Sequence, residues 1–362
     1  MFVDGAWTGS ASGETFTAES PATGEPIGEI PQGSREDAQR AIDAANRASA
    51  AWSRATAFER AAAMHRVADA VDERREELAH TLTLDQGKPL HESYDEVEEL
   101  IQYWRNAAED GKRLEGRLAN SFTPGKRVLL VRRPRGVIGV ITPWNWPYTM
   151  PAELIAPALA SGNTVVWTPA SSTAVAAIAL AECVVEADLP TGVFNLVTGP
   201  GSVVGDEIAR NPGTHGVGFI GSTETGRKVA EAAAGKAAVL ELGGNGPVVV
   251  LDGVPADSLV AREETFGPIA PVVAIDSLDE AIWVTNASPY GLLSAIFTRD
   301  LAKGLRFADE VRTGWVNIND SSNYWESHLP FGGRAGTASG IGRVGGSAPM
   351  ESFTELQTVV VS

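Results

Sequence analysis

From Ser34 onward, apolar residues return every three or four positions, the spacing of an amphipathic helix. Ser34-Arg35-Glu36-Asp37 carries the signature of an N-cap followed by first-turn acids, and it opens an Ala-rich helix to about residue 50. Met64, Val67, Ala68, Val71, Leu78 and Leu82 then fall on one face of a long helix over 58–84. A third helix with an acidic face spans 89–111. Residues 1–33, rich in Gly, Pro, Thr and Glu, read as short strands and turns. The period changes at Arg127. Two apolar runs, 128–131 and 137–141, read as strands around a charged, proline-containing break. Apolar runs at 164–167, 193–197, 216–220 and 238–242 then alternate with helical patterns at 151–160, 173–186, 203–210 and 226–234. Such alternation predicts a parallel sheet with crossover helices. Weaker signals follow: strands at 247–251, 269–275, 294–298 and 314–318, helices at 278–286 and 301–310, a Gly-rich loop over 331–346 and a β-prone tail at 353–361.

Length adds that two domains are expected from 362 residues. The net charge of −17 disfavours binding to nucleic-acid backbones or anionic membranes, which need positive surface. No run is long and apolar enough to span a bilayer, and the first residues lack a signal-peptide pattern. A single Cys rules out an intramolecular disulfide. A soluble cytoplasmic protein is the expectation. Basic residues are mostly Arg in an Ala-rich, acidic chain, which suggests a halophile-like, salt-adapted surface; lower stability in high KCl than in low salt would count against that.

Four segments could carry chemistry. Pro143-Trp144-Asn145-Trp146-Pro147 follows a strand end, where ligands of parallel sheets bind, and an Asn amide there can donate to a developing oxyanion; a rigid aromatic turn fits equally. Gly221-Ser222-Thr223-Glu224-Thr225-Gly226 joins a strand to a helix starting near Arg227 and could approach a phosphate, or be an ordinary turn. Glu241-Leu242-Gly243-Gly244 could offer a general base, or a solvated acid. Glu263-Glu264-Thr265-Phe266-Gly267-Pro268 could hold a ribose hydroxyl, or be a charged loop.

In this order, and with Pro330-Phe331-Gly332-Gly333, these motifs resemble the aldehyde dehydrogenase superfamily. The likeness runs from Phe2-Val3-Asp4-Gly5-Ala6-Trp7 to Phe353-Thr354-Glu355-Leu356-Gln357 and includes Gln86-Gly87-Lys88-Pro89. It implies an α/β fold: a doubly wound parallel-sheet cofactor domain over 1–243, interrupted by an oligomerisation hairpin at about 117–133, a truncated α/β catalytic domain over 244–349, and a small β oligomerisation strand over 350–362. It implies NAD or NADP as cofactor, a small-molecule aldehyde as substrate, and a homo-oligomer, dimer or tetramer. Asn145 would be the oxyanion donor and Glu241 the general base. Cofactor contacts would come from Ile141, Thr142, Pro143, Trp144, Thr168, Ser171, Gly201, Gly221, Ser222, Thr223, Gly226, Leu242, Gly243, Glu264 and Phe266. Glu355 resembles an acid that assists proton movement, and no metal is implied.

The family's Cys nucleophile has no counterpart. It belongs in a Gly-Gln-x-Cys motif between Glu-Leu-Gly-Gly and Glu-Glu-x-Phe-Gly-Pro, where this chain has only residues 245–262 and no Cys. Roughly a hundred residues are absent there, beyond ordinary loop variation. Cys183, inside a helical pattern, reads as a small buried hydrophobe, and Ser258 has no base placed beside it. Thr168 replaces the family's usual Lys, which weakens a 2′-phosphate contact. Ser171 replaces a Glu common in NAD-preferring members, which tolerates one. The two changes leave NAD and NADP both open. The resemblance thus implies oxidation of an aldehyde to an acid, with activity impaired in this chain. The competing reading is a non-catalytic dinucleotide binder or partner of a full-length paralogue; a third is a defective copy that folds poorly.

Overall fold

The computed structural model describes residues 1–362 except 245–249, 252, 256, 268, 269 and 323; of residues 250, 251 and 270 the backbone alone is described. The expected strand over 247–251 therefore lies largely outside the described residues, and Val250–Leu251 is its visible end.

An eight-stranded sheet organises the first two thirds of the chain. Its five central strands are parallel, in the spatial order Ala237–Glu241, Gly216–Ile220, Val137–Ile141, Thr164–Thr168 and Phe194–Leu196. Short antiparallel strands close both edges, Gly340–Ile341 on one side and Phe2–Val3 with Ala6–Trp7 on the other. Chain order runs outward in both directions from Val137–Ile141. The sheet is therefore doubly wound, with its switch point between that strand and Gly216–Ile220.

Period-two alternation divides the side chains between two helical layers. Ile138, Val140, Val165 and Trp167 pack with Leu154, Ile155, Trp104 and Met64, from helices Thr149–Ala160, Leu90–Lys112 and Ala57–Glu73. Val137 and Val166 face Ala38, Ala41, Ile42 and Ile208, from helices Arg35–Trp52 and Asp206–Arg210. Gly139 permits that second contact, because a Cβ there would meet Ile208 Cγ2 at 2.3 Å.

The capping motif at Ser34 forms as expected: Ser34 and Asp37 cap each other's backbone N–H. The long helix over 58–84 does not form as one piece. It divides into Ala57–Glu73 and Arg75–Gln86 at Arg74, whose backbone leaves the helical region. The Arg74 guanidinium bonds Glu77 at 2.7 Å, Glu182 at 2.6 Å and Glu186 at 3.2 Å, which ties the bend to helix Ala174–Glu186. Apolar spacing continues through the break, so periodicity alone could not detect it.

After residue 250 the structure thins. Val250–Leu251 pairs with Ala270–Pro271, and Leu293–Ile296 pairs with Trp315–Ile318, each as a separate parallel pair among the described residues. Residues 272–275, expected within a strand, form none. The tail strand Thr354–Val361 pairs along its whole length with Arg127–Pro134, which also pairs with Arg117–Ala119.

Candidate active site

The cleft lies at the switch point, beyond the carboxyl ends of the parallel strands, and has a volume of about 390 Å³. Asn145 reaches it from the loop after Val137–Ile141, Ser222 from the loop after Gly216–Ile220, and Glu241 as the last residue of its strand. Trp144, Leu242, Gly243, Glu264 and Phe266 also line it. Four motifs that are far apart in sequence thus meet in one cavity.

The helix after the second motif begins at Thr223, not near Arg227, so the motif itself forms the first turn. Ser222 is its N-cap and accepts the Thr225 N–H at 3.3 Å. Gly226 is needed for close approach: a Cβ there would meet Leu242 Cδ2 at 2.2 Å. Glu264 reaches back across the glycine turn, and its Oε1 accepts the Gly244 N–H at 3.2 Å. Phe266 has a φ of 42°, a left-handed conformation unfavourable for a side chain with a Cβ, and packs edge-on against Trp144 with ring centroids 5.6 Å apart.

The remaining expected contacts lie along the same strand ends. Thr142 N–H donates to the Thr168 carbonyl at 3.2 Å, and its hydroxyl accepts the Trp167 indole N–H at 2.9 Å. Ile141 is the last residue of its strand and is buried. The buried Thr168 Oγ1 has no hydrogen-bond partner among the described residues. Ser171 opens a short turn and donates to the Gly199 carbonyl at 3.1 Å. Gly201 starts the following turn, with open space where a Cβ would stand. An open glycine turn and a helix N-terminus at the strand ends suit a dinucleotide laid across them.

Several residues that line the cleft lie outside the four motifs, Glu153 and Trp325 among them. Glu153 is the only charged residue in the otherwise apolar helix Thr149–Ala160, and that isolation was the available signal. It lines the cleft and accepts the Tyr103 hydroxyl at 2.5 Å. Its aim is set by a cap from another helix: Glu96 Oε1 accepts the N–H groups of Tyr148 at 2.9 Å and Thr149 at 3.3 Å. Glu96 in turn is paired with Lys88, whose ammonium sits 4.1 Å from the centre of the Trp146 ring.

Burial sets the protonation of the cleft carboxyls. It pushes Glu241 well above the usual range, helped by the nearby Glu153 and Glu264. It brings Glu153 to about 8, against the stabilising Tyr103 hydrogen bond. It also raises Glu264, with the Gly244 N–H opposing. An Asn amide and a half-buried, proton-retaining carboxyl in one cavity can stabilise an oxyanion and exchange a proton with a bound ligand.

Three expected or considered groups are not in the cleft. Glu355 is exposed on the tail strand and pairs with Arg135 at 3.5 Å. Cys183 is buried in helix Ala174–Glu186, where burial pushes its thiol up to about 12. Ser258 immediately precedes the short helix Leu259–Arg262, makes no side-chain cap to it, and does not line the cleft.

Comparison with known proteins bears directly on this arrangement. The sequence pattern described as the aldehyde dehydrogenase family matches in two segments, residues 7–254 and 248–359. A glutarate-semialdehyde dehydrogenase of Pseudomonas aeruginosa is 32% identical over an alignment of 466 positions that covers 98% of this chain and 96% of the relative. The alignment exceeds the chain by roughly a hundred positions, more than loop variation accounts for. A succinate-semialdehyde dehydrogenase (NADP+) of Escherichia coli is 30% identical, with 99% and 97% covered. Among solved structures, an NADP-dependent enzyme of E. coli superposes with a TM-score of 0.95 at 30% identity, covering 100% of this chain and 97% of that one. Betaine aldehyde dehydrogenase of Staphylococcus aureus, in complex with NAD+, superposes with a TM-score of 0.95 at 27% identity, covering 99% and 94%. The chain belongs to the aldehyde dehydrogenase family.

Proposed function

We propose that this chain binds NAD or NADP along the strand ends and an aldehyde in the adjoining cleft, without acylating a thiol of its own. The supporting observation is the composition of the cleft: Asn145, Glu241 and Glu264 line it together, while the chain's one thiol, Cys183, is buried in a helix outside it. The dinucleotide, when bound, supplies a hydride acceptor. Thr168, Ser171, Gly201 and the start of helix Thr223–Ala232 would hold its adenosine and phosphate portions, and Glu264 a ribose hydroxyl. Asn145 would donate to the aldehyde oxygen. Glu241, which retains its proton, would donate to or exchange with the same group rather than act as a strong base near neutral pH.

A thiol held near 12 is protonated at neutral pH and a poor nucleophile. The expected result is dinucleotide binding, seen as quenching of protein fluorescence, with no aldehyde-dependent reduction of NAD+ or NADP+. Turnover that disappears in Glu241→Gln would reveal a substitute nucleophile and overturn this reading. Absence of dinucleotide binding in soluble protein would overturn it from the other side.

The three-stranded sheet built by Arg117–Ala119, Arg127–Pro134 and Thr354–Val361 supports a second reading, assembly with another copy or a full-length relative. Leu118, Leu356 and Val360 are exposed on it, and a long sheet edge with apolar side chains is a template for pairing. Light scattering coupled to size exclusion should give at least a dimer, and a clean monomer would remove the homo-oligomer.

A further inference from the structure

The ionisable groups of the cleft identify the class of aldehyde it suits. Three carboxyl side chains line it, Glu153, Glu241 and Glu264, and no Lys, Arg or His does among the described residues. None of the residues outside the description is Lys, Arg or His either. Lys88 lies against the Trp146 ring from outside the cleft lining and is already paired with Glu96. The cleft is also aromatic: Trp146 and Trp325 meet edge to face with centroids 5.7 Å apart, and Trp325 stands 6.4 Å from Phe331. The Tyr103 hydroxyl donates to Glu153 at 2.5 Å. That bond fixes the carboxyl beside the aromatic wall of the cleft.

Resting on the reading that an aldehyde enters this cleft, we propose that it selects aldehydes bearing a positive charge, an ammonium or quaternary ammonium group held between Glu153 and the ring of Trp325. A cation gains from the faces of aromatic rings and from a carboxylate in a site of reduced dielectric. A carboxylate-bearing substrate, of the kind that the names of the semialdehyde relatives describe, would bring a fourth acid into a cavity with no lining cation to receive it. The cleft therefore differs in charge preference from what those names suggest.

The proposal carries a proton signature. Burial raises Glu153 to about 8, with the Tyr103 hydroxyl opposing and the Glu99 carboxyl adding repulsion. A cation beside it favours the ionised form, so binding near pH 7 releases a proton, and a neutral ligand of the same shape does not.

The test is isothermal titration of the full chain, with NAD+ present, using three probes: betaine aldehyde, its neutral carbon isostere 3,3-dimethylbutanal, and succinate semialdehyde. We expect betaine aldehyde to bind at least about tenfold more tightly than the isostere, succinate semialdehyde to bind more weakly than either, and proton release for betaine aldehyde alone when buffers of different ionisation enthalpy are compared. Glu153→Gln should erase most of the charge preference and the proton release, yet leave the isostere's affinity within about twofold. Trp325→Leu should weaken betaine aldehyde selectively. Should Glu153→Gln fail to fold, the wild-type comparison and the Trp325 variant decide alone. Equal binding of charged and neutral probes, or tighter binding of the anion, overturns the charge inference and leaves the aldehyde site standing. Binding of none of the three overturns both.

Discussion

The sheet layer over residues 1–243 and the segment from 250 to 346 come from the same chain and fold under different constraints. In the first, Trp104, Trp167, Leu154 and Ile42 are fully buried, and both faces of the parallel sheet are covered by helices. In the second, the largest cluster joins Ile282, Phe307 and Val311, while Leu259, Trp283, Phe297 and Leu301 each expose about two thirds or more of their surface. Parallel pairing is normally found with both faces covered, and the separate pair Leu293–Ile296 with Trp315–Ile318 lacks that among the described residues. The two-segment family match meets near residue 250, where the second region begins. The contrast teaches that the cleft is built by the well-packed side and only walled by the poorly packed one: Asn145, Glu153 and Glu241 stand on the former, Glu264, Phe266 and Trp325 on the latter.

This contrast can be broken or sharpened, starting with the largest effect. Native-state hydrogen exchange should show opening free energies for the amides of Thr164–Thr168 and Gly216–Ile220 several kcal/mol above those of Leu293–Ile296 and Trp315–Ile318; equal protection would mean one cooperative unit. Next, Trp104→Ala should cost about 3–5 kcal/mol in urea unfolding, while the chemically identical Trp283→Ala should fall within about 0.5 kcal/mol of the parent.

A smaller effect concerns pH. Burial raises Glu99 to about 7, with Glu96 and Asp95 adding repulsion and Lys88 opposing it, and raises Glu153 to about 8. The unfolded chain releases these protons near 4.5. Between that value and the raised ones the folded state binds more protons, so stability falls as pH rises through the window and levels off above it. Glu99→Gln and Glu153→Gln should therefore recover roughly 1–3 kcal/mol at pH 8.5 relative to pH 5, read from denaturation midpoints. A parent whose stability rises across that window would contradict the buried-carboxyl account. The smallest expected effect is at the helix caps. Ser34→Ala should lower global stability by about 1 kcal/mol. Ser277→Ala, which removes the cap of helix Leu278–Ala287, should leave the main midpoint unchanged if its region opens first.

The amino-acid sequence by itself determined the local elements and their order. The Ser34 cap, the strand–helix alternation from Val137 to Glu241 and the four motifs that meet in the cleft depend on residues near one another in the chain, and each was legible there. The lack of a second Cys is likewise a property of the sequence alone. Only the tertiary structure decided where the long helix breaks, because Arg74 is held by acids more than a hundred positions away in helix Ala174–Glu186. Only it brought Glu153 into the cleft, because Glu96 from another helix caps Thr149–Ala160 and Tyr103 fixes the carboxyl. Only it removed Glu355 from the site, by pairing the tail strand along Arg127–Pro134. Local periodicity reports which face of an element is apolar. Which partner covers that face, and what polar group is carried into a cavity with it, depends on contacts between residues far apart in the chain.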